Sequence, residues 1–182
     1  MTKTDIDHQR PILTVDPGSE HTGIALWFYY PGKGWRCDHA QEISPGDFVT
    51  SLENYLKSNS LGTVVYESWQ LYADKAQQQV GSDLETVQLI GVIRYLVERD
   101  EPDWPFEPVQ LFKQPASIKK ATKAILGRKK VISVAKRLRM DPDGHAFDAE
   151  LHGYHFLGQN GLEIWYPSND LDPTKPPGYQ GD

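Results

Sequence analysis

Four residues of this chain are of types that could together hold divalent cations: Asp16, Glu67, His145 and Asp148. Asp16 ends the apolar, β-branched run Ile12-Leu13-Thr14-Val15 and is followed by Pro17-Gly18. Glu67 ends Val64-Val65-Tyr66 in the same way. A carboxylate just outside a buried strand is held by rigid backbone and can point at a substrate. His145 and Asp148 are three residues apart, which on a helix puts both on one face. Each has an ordinary explanation when taken alone. Asp-Pro-Gly is common turn chemistry, a strand-end glutamate can face water, His145 can simply start a helix, and Asp148 can lie on a solvated face. Their conjunction says more. Crowding carboxylates is costly through like-charge repulsion, and divalent cations offset that cost. Oxygen-rich sites favour Mg2+ or Mn2+. Two such ions, roughly 3.5–4 Å apart, activate water and stabilise the leaving oxygen in phosphodiester hydrolysis.

His152 and His155 continue the helix row from Asp148 at i+4 and i+7. They are read as lying behind the site or at the surface rather than as ligands, because a lone histidine is more often so placed.

The charge distribution points to a polyanionic partner. The formal net charge is −6, yet residues 113–139 hold ten Lys/Arg and no Asp or Glu. Clustering of this kind is the electrostatic footprint of nucleic-acid binding. Lys119, Lys120, Lys123, Arg128, Lys129, Lys130 and Arg137 are the candidate phosphate contacts. The alternative is a merely solvated basic face. The single cysteine, Cys37, excludes a disulfide framework and a cysteine zinc site, and a reducing setting is expected. The first residues lack the apolar run of a signal peptide, and no apolar stretch reaches membrane-spanning length.

The elements that must position these residues follow from periodicity. Residues 12–15 and 63–67 read as buried strands, and 23–30 and 35–43 as two more, with a turn at Pro31-Gly32-Lys33-Gly34. The first three strands form an antiparallel meander. Helices are expected at 45–58, at 82–98 with a Ser82/Glu85 capping box, at 116–126, at 128–139 and at 145–157, and a fifth strand at 108–112. This order predicts an α/β fold, a mixed five-stranded sheet flanked by helices. Residues 1–10 are expected to be flexible, 11–160 to form one domain, and the Pro/Gly-rich 161–182 to be an extended, disordered tail.

In order and spacing the chain resembles the RuvC-type Holliday junction resolvases over about residues 11–157. Leu13-Thr14-Val15-Asp16-Pro17-Gly18-Ser19 followed by Thr22-Gly23-Ile24-Ala25 is similar to their opening strand and turn. Val64-Val65-Tyr66-Glu67 resembles their second acidic strand. His145-Ala146-Phe147-Asp148-Ala149 resembles their C-terminal helix, and Gln114 through Lys130 their basic region. The resemblance implies an RNase H-like fold, a homodimer, two Mg2+ or Mn2+ ions per site on Asp16, Glu67, His145 and Asp148, and paired cuts in branched DNA. It also implies that Lys119, for catalysis, and Lys130 take the roles of the family's two lysines. A cytoplasmic setting follows, in a bacterial host or a phage-infected cell. After Glu67 the chain reads Ser68-Trp69-Gln70-Leu71-Tyr72, so Trp69 or Tyr72 would be the junction-inserting aromatic; the alternative is that both pack in the core. A divergent, phage-type member with wider taste for branched DNA fits these departures.

Two other readings share parts of the pattern. An actin-like or sugar-kinase ATPase domain also opens with an Asp-x-Gly strand turn, but needs two lobes and a second glycine-rich loop. A catalytically inactive junction-binding module would keep the basic stretch alone. The helix at 82–98 has apolar residues around most of its circumference, and the surplus suits a two-fold interface.

Overall fold

The computed structural model describes residues 6–68, 85–99, 109–115, 117–129, 131, 133–135 and 144–166. Strands β1 (Ile12–Asp16), β2 (Thr22–Tyr30) and β3 (Gly34–Ile43) form the antiparallel meander. β4 (Thr63–Ser68) joins β1 in parallel, and β5 (Gln110–Pro115) joins β4 in parallel, giving the order β3-β2-β1-β4-β5. The helices are α1 (Pro45–Lys57), α2 (Glu85–Glu98), α3 (Ile118–Arg128) and α4 (His145–Gln159). The mixed five-stranded sheet flanked by helices is the architecture that the periodicity predicts. β5 reaches beyond its expected end, through Pro115, because Gln114 is buried in register with Glu67 instead of opening the basic segment. α3 consequently starts later than expected. Ser82 lies outside the described residues, as does most of the expected 128–139 helix, of which Val134 and Ala135 are helical.

Strand alternation sorts side chains onto two faces. Leu13, Val15, Val64, Tyr66 and Leu111 pack with Phe48, Leu52 and Leu56 of α1 and with Leu89, Ile93 and Leu96 of α2. Ile12, Val65 and Phe112 point the other way, into a core completed by Leu126 of α3 and by Ala146, Ala149, Leu151, Tyr154, Phe156 and Leu157 of α4. α1 starts cleanly: Ser44 accepts from the Asp47 N–H at 3.1 Å, and Pro45 occupies the first turn.

α4 is latched to the sheet by Trp27, which is fully buried. Its indole N–H donates to Thr14 Oγ1 at 3.1 Å, and the Thr14 hydroxyl donates to the Ala149 carbonyl at 2.7 Å. The ring meets Tyr154 edge-on at 4.7 Å. Gly153 makes this approach possible, since a Cβ there would stand 2.2 Å from the Trp27 ring. Truncating Trp27 would cost about 3–5 kcal/mol.

Residues 6–10, from the segment expected to be flexible, and 161–166, from the segment expected to be an extended, disordered tail, pack against this body. Ile6 is buried, His8 stacks on Tyr29 at 4.3 Å, and Arg10 bonds Asp7 at 2.7 Å and Asn59 at 3.2 Å. Ile164 bridges to Trp35 and Tyr166 stacks on Tyr154, covering part of the β3 edge. Among the described residues no helix is long and apolar enough to cross a membrane.

Candidate active site

The period of two explains why the site lies under α4. Asp16 shares a face with Ile12 and Thr14, Glu67 with Val65, and Gln114 with Phe112. Val15 pairs with Tyr66, and Glu67 with Gln114. Asp16, Glu67 and Gln114 therefore form a row across three neighbouring strands, at the ends where β1 and β4 stop. α4 crosses this row and brings Asp148 and His152 down onto it.

The first turn of α3 supplies the cation. Lys119 Nζ lies 2.7 Å from Asp16 Oδ1, 2.6 Å from Glu67 Oε2 and 2.8 Å from Asp148 Oδ2. The Asp16 side chain is 5% exposed, Glu67 17%, Lys119 23% and Asp148 35%, so the cluster opens to solvent on the Asp148 side. Burial pushes the Asp16 carboxyl above the usual carboxylate range, against the pull of His145 and Lys119. Burial acts the same way on Glu67, but donors from His152 and Lys119, with Asp16 beside it, outweigh that and hold it well below the usual range. Burial alone would lower the Lys119 ammonium; Asp16, Asp148 and Glu67 hold it above its ordinary value.

His145 Nδ1 is 2.7 Å from Asp16 Oδ2, and this hydrogen bond raises the imidazole above its ordinary value against the effect of its burial. The His145 N–H donates to Glu42 Oε1 at 2.7 Å, which places a carboxylate at the α4 N-terminus where the helix dipole favours it. Gly144 precedes it with φ of 93°, a left-handed conformation that suits glycine.

Asp16, Glu67 and Asp148 thus meet at Lys119, and His145 joins them through Asp16. His152 departs from the surface alternative. It is fully buried, with Nε2 3.0 Å from Glu67 Oε2 and 4.0 Å from Asp16 Oδ1. His155 is partly buried beside a cleft lined by Thr122, Leu126 and Tyr166. Sequence reasoning missed Gln114 and Glu42. A buried glutamine two residues after Phe112 was a signal available in the alternation; Glu42 left none, because only the β2–β3 register sets it opposite Gly23.

The oxygens of Asp16, Glu67 and Asp148 lie within hydrogen-bonding reach of one ammonium, and oxygens of Asp16 and Glu67 lie within 4.8 Å of each other and of a ring nitrogen of His152. This oxygen-rich, carboxylate-dominated donor set fits Mg2+ or Mn2+.

Of the basic candidates, Lys120, Lys123, Arg128 and Lys129 are exposed on and just after α3. Lys123 lies 5.5 Å from the Phe147 ring centre and Lys129 4.2 Å from that of Tyr166. Lys119 is different, being engaged by the carboxylates. Lys130, Arg137, Trp69 and Tyr72 lie outside the described residues.

No protein-family model matches the chain, and no curated protein matches it in sequence. Solved structures do. RuvC of T. thermophilus, in complex with a Holliday junction substrate, superposes with a TM-score of 0.54 at 12% identity, covering 84% of this chain and 98% of that one. The fowlpox virus Holliday junction resolvase gives 0.52 at 10% identity, over 82% and 98%. The yeast mitochondrial resolvase Ydc2 gives 0.55 at 11% identity, over 87% and 83%. At these identities the likeness speaks for the fold. The chain has the RNase H-like fold of the RuvC-type Holliday junction resolvases.

Proposed function

We propose that this protein is a metal-dependent, structure-selective endodeoxyribonuclease that resolves Holliday junctions and cuts related branched DNA. The observation that carries the reading is the convergence of Asp16, Glu67 and Asp148, from β1, β4 and α4, on a single lysine. Three carboxylates crowded around one ammonium repel one another, a cost that a bound divalent cation would offset. Asp16, Glu67, Asp148 and His145 would hold two Mg2+ or Mn2+ ions. When bound, such ions supply an activated water and neutralise charge on the leaving oxygen.

The chain's own residues do the rest. Asp16 is fixed on both sides, by Lys119 and by His145. Lys119 stands near the open side of the cluster and can donate to a phosphate oxygen of a strand laid across it. Lys120, Lys123, Arg128 and Lys129, with Lys130 and Arg137 further along the chain, would track the flanking phosphates, and Trp69 or Tyr72 would meet the unstacked bases at the branch point. Paired cuts need two sites, and a two-fold interface would use α2, where Val92 is 37% and Tyr95 65% exposed beside the buried Leu89, Ile93 and Leu96.

The test is a gel assay of four-way, three-way and flapped DNA with Mg2+ or Mn2+. Paired nicks at the four-way branch point are expected. No cleavage of any branched substrate in either metal would reject the reading.

A further inference from the structure

The row Asp16–Glu67–Gln114 ends on a buried amide whose two ends are told apart by the backbone of α4. One end of Gln114 faces the N–H of Phe156 at 3.3 Å, and the other the carbonyl of His152 at 3.0 Å. An N–H can only donate and a carbonyl can only accept. Gln114 Oε1 therefore accepts from Phe156, and Nε2 donates to the His152 carbonyl. The same Nε2 is 3.2 Å from His152 Nδ1 and donates to it too. Nδ1 is then the accepting nitrogen, and the ring proton sits on Nε2, 3.0 Å from Glu67 Oε2.

We infer that Gln114 and His152 are positioning residues that fix one imidazole tautomer and use its Nε2–H to hold the Glu67 carboxylate in the site. Distance alone would admit another role, since Nε2 lies among the oxygens of Asp16 and Glu67 closely enough to be a third metal ligand. The tautomer decides against it. A ligating imidazole presents a lone pair to the ion and donates its other N–H to a carboxylate or carbonyl. Here the far nitrogen receives a hydrogen instead, so the near one carries the proton and has no lone pair to give. His152 is fully buried and Gln114 nearly so, at 4% exposure, so water does not compete for these bonds. The inference rests on the nuclease reading for what Glu67 does, and on hydrogen-bond geometry alone for the tautomer.

The experiment is 15N NMR of the full chain with labelled histidine, first without metal and then with saturating Mg2+. His152 should show a protonated Nε2 and an unprotonated Nδ1 in both states. A protonated Nδ1, or loss of the Nε2 proton on adding Mg2+, overturns the inference. Kinetics give a second readout. Gln114→Met and His152→Phe should lower kcat for branched DNA about 10- to 100-fold with KM unchanged. His152→Gln, which keeps an N–H donor, should recover most of the loss. Cutting at wild-type kcat by both of the first two variants would overturn the inference as well. If the wild-type chain cuts no branched DNA, the nuclease reading falls, and the NMR measurement still decides the tautomer.

Discussion

Gly23 and His145 meet backbone to backbone: a Cβ on Gly23 would stand 1.9 Å from the His145 carbonyl oxygen and 2.8 Å from the Ala146 nitrogen. Gly23 pairs with Asp16 across the β1–β2 ladder. The same glycine therefore sets how close the α4 N-terminus, with His145 and Asp148, comes to the carboxylate at the end of β1.

Gly23→Ala should accordingly push α4 away from the sheet. Backbone, unlike a flexible side chain, cannot yield at these distances, so a loss of about 3 kcal/mol is expected. Metal-dependent cleavage should fall with it. Gly127→Ala is the contrast: that helical glycine has open space around its Cβ position, and the change should stabilise by about 0.5–1 kcal/mol. Urea midpoints of the two variants should move in opposite directions; a Gly23→Ala midpoint equal to wild type would contradict the close contact.

Asp148→Asn should separate binding from catalysis. It removes one carboxylate and leaves the α3 basic surface intact. Lys119 keeps Asp16 and Glu67 as partners, and Asp148 is the most exposed of the three, so stability without metal should change by no more than about 1 kcal/mol. Cleavage should drop to near background while four-way-junction affinity, measured in a gel shift, is retained. Normal cutting rates in this variant would remove Asp148 from the site.

Lys119→Met should leave the three carboxylates without their ammonium. Breaking a partly buried charge network of this kind costs about 3 kcal/mol. Mn2+ should then raise the Tm of the variant by more than it raises that of wild type, since a cation stabilises the folded state more the tighter it binds and no ammonium competes for the same oxygens. Equal Mn2+-induced shifts in a thermal melt would mean that Lys119 and the ion do not share a place.

The His145–Asp16 contact makes stability depend on pH. The imidazole's value in the folded protein is raised above 6.5, first by its hydrogen bond to Asp16. Its contribution is therefore fully present below about pH 6.5 and is lost as pH rises through the raised folded value. Without metal, wild type should exceed His145→Gln in urea midpoint at about pH 6, and the gap should narrow towards about pH 8.5. A ligating imidazole must also be unprotonated, so Mn2+ affinity should weaken on acidification from a pH above 6.5. A gap that widens with rising pH would contradict the pairing.

The basic surface should show itself in salt. If Lys120, Lys123, Arg128 and Lys129 meet phosphates, junction affinity should fall steeply with ionic strength. Each charge removed should flatten the logarithmic slope by about 1. Reversing Lys120 and Lys129 together without any change in affinity would mean that this face is merely solvated.

Local order was written in the sequence. Asp16 and Glu67 were visible because each ends an apolar run with strand character, and His145 and Asp148 because a spacing of three is a helix face. These are nearest-neighbour properties, governed by side-chain alternation and helical period. The basic run was equally plain, and with the order of motifs it pointed to the fold. The contacts that make a site from these residues were decided by tertiary structure. By composition Lys119 was one basic residue among ten, and only the family resemblance singled it out; its contacts come from the packing of α3, which carries it to carboxylates 103 and 29 residues away in the chain. His152 read as a histidine behind the site or at the surface, and became the partner of Glu67 because Gly153 lets α4 close onto Trp27. Gln114 and Glu42 depend on strand register across β4–β5 and β2–β3. Such pairings arise only when helices and strands far apart in sequence pack at a definite distance, and at Gly23 and Gly153 that distance is set by the absence of a single Cβ.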